Sequence, residues 1–292
     1  MFTAKRQNPA LAAGLILLAT SFIAGTTLLA KALGSDVLGP ALNPLQISHG
    51  RFVFAFLALA GTATALRPTF QNPHWRLHAG RTLFGWLGVT LMFASVTLIP
   101  LADATAISFL NPVFAMLLAI PLLGERVGPV RWSAAAIAMT GALILLRPSP
   151  GSFQPAAFLA LAAAMMLGLE LIFIKTLSGR EPVFQILLIN NLFGLGISSM
   201  AVLAVWQMPT AAQWAGLAAL GVLMACAQTL FVNAMARADA SFVAPFSYAT
   251  LIMAALFDYA GFGVVPDSIT VLGAAVIITG ALLLALREGR MR

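Results

Sequence analysis

Long apolar runs separated by short polar breaks dominate this chain. Cutting at charges, prolines and glycine clusters leaves ten segments, near 9–33, 44–66, 76–98, 102–123, 129–147, 155–178, 182–205, 211–236, 240–260 and 268–287. A helix that spans a bilayer needs about 20 predominantly apolar residues, so each segment predicts a membrane crossing. Most connections are only a few residues long. Neighbouring helices are therefore expected to run antiparallel, with no soluble domain between them. The first segment follows Lys5 and Arg6 as a signal peptide would, but its apolar run exceeds a typical signal core and is read as a helix.

Composition agrees with this pattern and narrows it. Hydrophobic residues make up 61% of the chain and charged residues 9%, whereas a soluble domain carries about 25% charged residues. The single cysteine, Cys226, excludes an intrachain disulfide and any cysteine-based metal cluster. With a cytoplasmic N-terminus, Lys5, Arg6, Arg67, Arg76, Arg81, Arg126, Arg131, Lys175, Arg180, Arg237, Arg287, Arg290 and Arg292 fall at inner ends. Only Lys31 and Arg147 fall at outer ends, and Arg51 lies inside a segment. The positive-inside rule then places both termini in the cytoplasm. The formal charge of +7 is a topology signal, since the basic residues are scattered over short loops and do not form a nucleic-acid surface.

The two halves repeat each other. LADATAISF at 101–109 sets Asp103 and Thr105 against Asp239 and Ser241 of RADASFVAP, and TGALILL at 140–146 matches TGALLLA at 279–285. Each half, 1–148 and 149–292, holds five segments. An odd number makes the second copy enter the membrane from the opposite side. The expected fold class is an all-α integral membrane protein, ten transmembrane helices in two inverted five-helix repeats around a central cavity, one compact domain suited to alternating access.

The phrase LADATAISFLNPVFAMLLAIPLLGERVGPVRW, followed by TGALILLRP, resembles the EamA-type members of the drug/metabolite transporter superfamily, as does APFSY with FGVVPDSITVLGAAVIITGALLL. The resemblance covers essentially the whole chain. It implies a ten-helix, two-repeat exporter whose cavity is lined mainly by segments one, three, four, six, eight and nine, with segments five and ten peripheral. Within the superfamily the reading leans to YddG-like exporters of aromatic and other bulky amino acids, a branch the quoted motifs do not separate from its relatives. The chain departs from the family pattern at Gly263-Val264, where a Gly-Glu pair is usual, and at Asp258, where a small residue is common. The first half keeps its pair as Gly124-Glu125.

Ionisable residues inside a membrane are costly and mark functional candidates. Glu170, in the sixth segment, is expected to face the cavity as a proton carrier or a partner for a substrate ammonium. Arg51 is expected to snorkel outward with His49, the alternative being capture of a carboxylate. Asp103 and Asp239 open their segments and suit helix capping, while Asp258 reads as a wetted end residue. Pro112 and Pro245 lack an N–H and loosen their helices, which makes them candidate hinges or gates. Trp86, Thr90 and Phe93 share one face of segment three. Together with Phe109, Asn111, Gln228, Asn233, Phe246 and Tyr248 they form the candidate substrate lining. His74 and His78 stand four apart, a zinc-compatible spacing, but the local sequence offers no acidic or cysteine partner, so an interfacial role is expected.

No GxxxxGK[ST], HExxH, CxxC or nucleophile triad occurs, so no enzyme is predicted, and neither a cofactor nor a metal. The expected function is a secondary transporter of the bacterial inner membrane. It would export small amphiphilic metabolites, foremost aromatic or bulky amino acids, from cytoplasm to periplasm. The alternatives are a broader drug or vitamin-like efflux carrier and, from another class, a non-transporting membrane sensor or assembly subunit. The expected partners are the substrate and the lipid bilayer, without nucleic acid. The expected state is a monomer, with a dimer through the small-residue stretch WSAAAIAMTGA as the alternative.

Overall fold

A computed structural model describes residues 9–123, 128–146, 155–178, 180–235 and 249–290. Its described residues form eleven helices and no strand. They are α1 (Pro9–Leu33), α2 (Pro44–Leu66), α3 (Trp75–Val96), α4 (Leu101–Ser108), α5 (Asn111–Leu123) and α6 (Pro129–Leu146). The second half holds α7 (Ala157–Ser178), α8 (Val183–Val202), α9 (Ala211–Met235), α10 (Ala249–Phe262) and α11 (Ser268–Arg290). Among the described residues six stretches are long and apolar enough to cross a membrane, including Ala10–Leu33, Trp75–Val96 and Leu101–Leu122, and shorter apolar helices accompany them.

Local chemistry explains several boundaries. The side chain of Asn43 accepts the Leu45 amide at 3.0 Å, and Pro44 supplies a first helical residue whose missing N–H would have been unsatisfied anyway. At the far end of α2, Arg67 takes the left-handed conformation (φ 46°) and returns its N–H to Ala63. The fourth predicted segment is two helices. Phe109 ends α4 with its amide on the Ala106 and Ile107 carbonyls, and Asn111 begins α5 directly before Pro112. Proline disfavours helical geometry in the residue before it and cannot donate to the preceding turn, so the ladder stops and restarts there.

The main core joins α1, α3, α4 and α5 with parts of α7, α9, α10 and α11, around fully buried Leu33, Phe93, Leu101, Ile107 and Leu110. Two glycines set how closely helices meet. A Cβ on Gly141 of α6 would lie 2.7 Å from the Gly273 carbonyl and the Ile277 amide nitrogen of α11, so these backbones touch. A Cβ on Gly168 of α7 would lie 2.9 Å from the Asn111 carbonyl and the Ala115 nitrogen of α5. Large apolar side chains such as Leu203 and Met200 point outward instead, as lipid-facing residues do.

Candidate functional site

A cavity of about 200 Å³ opens among α1, α2, α3, α7, α8 and α9. Ile23, Phe52, Val89 and Met224 give it an apolar wall, and Arg51, Glu170, Asn190 and Gln228 give it polar groups. Gly85 of α3 completes the lining for a steric reason, because a Cβ there would sit 2.7 Å from the Glu170 carboxyl carbon. The glycine lets a carboxylate on α7 press against the backbone of α3.

Three charges converge here. Arg81 Nε lies 3.5 Å from Glu170 Oε1, and an Arg81 terminal nitrogen donates to the Ile186 carbonyl at 2.8 Å. Arg51 is buried at 3% exposure, with its guanidinium 4.3 Å from the centre of its neighbour's ring, Phe52. Two guanidiniums against one carboxylate leave a local excess of positive charge. A buried ion pair is only worth keeping where both members are held, and Glu170 is held by Arg81 rather than free in the cavity.

The EamA-like transporter family model matches residues 10–147 and again 154–286. The chain belongs to the EamA-like transporter family. A riboflavin transporter of Rhizobium johnstonii is 34% identical over 82% of this chain and 78% of its own. An S-adenosylmethionine uptake transporter of Rickettsia bellii is 27% identical over 87% and 88%. A pseudopaline exporter of Pseudomonas aeruginosa is 26% identical over 70% and 73%. A solved crystal structure superposes with a TM-score of 0.62 at 21% identity, covering 96% of this chain and 99% of that one, and so shares the fold. This chain is thus a multi-pass membrane transporter of small molecules, not an enzyme.

The geometry of this EamA-like transporter redistributes the residues expected from the sequence. Glu170 and Gln228 line the cavity. Trp86, beside Gly85, is half-buried, with its indole nitrogen lacking an acceptor. Thr90 donates to Ser48 at 2.8 Å and so ties α3 to α2. Phe93 belongs to the main core at 1% exposure and is a packing residue, not a lining one. Phe109 and Asn111 flank the α4–α5 break, and Asn233 folds its amide back onto the Thr229 carbonyl within α9. Pro112 is at the start of α5, whereas Pro245, Phe246, Tyr248 and Asp239 lie outside the described residues. Segments two and seven, as α2 and α8, contribute lining that the family resemblance did not imply. Segment four contributes none among the described residues, because Gly168 draws α5 tightly against α7.

Four charged residues need correction. Arg51 turns inward and does not snorkel, while His49 bonds Ser198 and stacks edge-on with Trp206. Arg81 is no surface charge at a helix end, because Glu170 pulls it into the bundle. Asp258 is not wetted: at 1% exposure it pairs with Lys31 of α1 and accepts the Leu101 amide at 2.9 Å. The carboxylate meeting the first amide of α4 is therefore Asp258, whereas Asp103 accepts the Thr270 hydroxyl at 2.6 Å and links α4 to α11. Arg81 and Asn190 are the polar site residues missed from the sequence, alongside the apolar wall and Gly85. The available signal was that a deep Glu170 calls for a cation, and Arg81 stands one helical turn from a glycine on α3.

A second polar cluster lies where α3 begins. Glu181, between α7 and α8, takes the His74 amide at 2.7 Å, the His74 ring at 2.9 Å and the His78 ring at 2.8 Å, and Gln185 donates to it at 2.7 Å. The acidic partner that the local sequence lacks arrives from a distant part of the chain. Burial pushes this carboxyl upward, but the His74 amide and the two imidazoles outweigh it and bring Glu181 down to about 2. Among the described residues no group of three such side chains is placed to hold a metal.

Proposed function

We propose that this transporter carries a vitamin-like heteroaromatic metabolite across the bacterial inner membrane, with the cavity between α2, α3, α7 and α9 as its binding site. The observation that carries the reading is the charge arrangement. Two guanidiniums, Arg81 and Arg51, face the one carboxylate of Glu170, so the positive excess of the cavity repels an incoming ammonium or sulfonium. This disfavours the amino-acid cargo expected from the sequence, and equally a sulfonium cargo such as that named for the Rickettsia relative. An uncharged, carbonyl-rich ring system meets no such penalty, and the 34% identical relative is named for riboflavin.

Alternating access would come from residues 1–148 and 149–292 acting as two inverted five-helix repeats, ten crossings in all. The family model matching each half separately supports this. So does packing related by exchange of the halves: α1 lies on α9 as α7 lies on α3, while α2 meets α8 and α6 meets α11. Both termini would be cytoplasmic, and moving Arg81 into the bundle leaves the excess of basic residues on that side standing. The test is transport into liposomes containing the purified protein. Radiolabelled riboflavin is expected to cross and tryptophan and phenylalanine are not. Amino-acid flux without riboflavin flux would replace this reading with amino-acid export.

A further inference from the structure

We propose that Arg51 and Gln228 together read a lactam or imide edge of the substrate, Arg51 donating to its carbonyl and Gln228 accepting from the adjacent N–H. This rests on the cavity being the substrate site and specifies the chemistry recognised there.

Both side chains line the same cavity, and each has one buried polar atom without a hydrogen-bond partner among the described residues. Arg51 Nε is fully buried without a hydrogen-bond acceptor among the described residues, and the guanidinium lies over the face of Phe52. Gln228 Oε1 is buried without a donor. A buried polar group left unpaired costs about 1–3 kcal/mol, and a charged one more. Arg81 differs in degree: its Nε likewise lacks a hydrogen bond, but a terminal nitrogen donates to the Ile186 carbonyl and Glu170 lies 3.5 Å from that Nε. A fold that needed Arg51 only for architecture would have supplied an acceptor in the same way. One cationic donor and one amide acceptor facing a small space fit a group carrying a carbonyl and an N–H side by side. An ammonium ion offers only donors and repels the guanidinium. A carboxylate offers two acceptors and leaves Gln228 unanswered.

The decisive probe pair is riboflavin and N3-methylriboflavin, which differ only in the imide N–H. Binding is read by flavin fluorescence quenching on the full-length protein in nanodiscs. The wild type is expected to bind N3-methylriboflavin at least about tenfold more weakly, because a site built to bond an N–H rejects the analogue lacking it. Gln228→Met is expected to erase that discrimination to within about twofold, since its partner for the N–H is gone. Arg51→Gln is expected to weaken both flavins at least about tenfold while leaving the ligand-free protein equally or more resistant to thermal unfolding, since an unpaired buried charge has been removed. A merely structural arginine would show the reverse, lower stability with the probe preference intact. Failure of riboflavin to bind the wild type would sink the proposed cargo alone. Stabilisation by thymine against 3-methylthymine in the thermal assay then reads the edge without a flavin. Equal behaviour of the members of whichever pair is read, or a destabilised Arg51→Gln protein with unchanged discrimination, overturns the inference.

Discussion

Replacing Asp258 with Asn tests how firmly the two halves are held together at one end of the bundle. In the wild type one carboxylate oxygen meets Lys31 of α1 and the other accepts the Leu101 amide that opens α4. Asparagine keeps an oxygen for the amide and removes the charge that Lys31 faces. Breaking a buried ion pair by deleting one member costs about 3–5 kcal/mol. Lys31 retains 13% side-chain exposure and also lies 4.5 Å from the centre of the Phe262 ring. Both features soften the loss, so about 2–3 kcal/mol is expected for Asp258→Asn. Asp258→Ala also abandons the α4 amide and should cost about 1 kcal/mol more. The assay is equilibrium unfolding in mixed micelles of a mild detergent and SDS, run as a double-mutant cycle with Lys31→Met. The double variant should recover much of the loss, giving a coupling of about 1.5 kcal/mol or more. A single Asp258→Asn cost below about 0.5 kcal/mol, or additive behaviour in the cycle, would refute the reasoning.

Three further perturbations follow from the same structure. Glu170→Gln leaves Arg81 without its counter-charge and should destabilise the fold by about 2–3 kcal/mol, with Arg81→Leu in the same chain restoring part of it. Because Glu170 is held by Arg81, the pH profile of transport is expected to change less than the unfolding midpoint, and a profile flattened by Glu170→Gln would reinstate it as a proton carrier. Glu181 has a folded pKa of about 2 against an ordinary 4.5, so its contribution is complete above pH 4.5 and is lost as the pH falls toward 2. Unfolding measured across that window should be less acid-sensitive in Glu181→Gln than in wild type. Gly141→Ala drives a methyl into the α11 backbone and should cost about 1–3 kcal/mol in the micelle assay, with α6 and α11 forced apart.

The segments were legible because hydropathy acts over about twenty residues, and apart from the ninth, whose start lies outside the described residues, the helices begin and end within a few residues of the predicted limits. Asn111-Pro112 announced a weakness in the fourth segment, although the outcome is two helices and not one bent helix. The destinations of the charged side chains were not legible. Arg81 sits near the start of its helix like any topology-setting arginine, and only the packing of α3 against α7 brings it to Glu170. Asp258 likewise reads as an end residue until Lys31, hundreds of positions away in sequence, is placed beside it. Aromatic positions failed for a related reason. A helical face of Trp86, Thr90 and Phe93 is common to core and cavity alike, and the neighbouring helices decide which it meets.

The Arg81–Glu170 contact also sets an order for making the protein. α3 is the least apolar of the six long spans and carries a buried guanidinium. An arginine at the centre of a lone helix costs about 2.5–3.5 kcal/mol on insertion, and one nearer the end, as Arg81 is, costs part of that. Its counter-ion lies on α7 and is synthesised only after α4, α5 and α6. Until translation reaches Glu170, α3 is only loosely committed to the bilayer. A nascent chain stalled before α7 would present that segment to quality-control proteases, whereas a chain released beyond it would have sealed the segment in place.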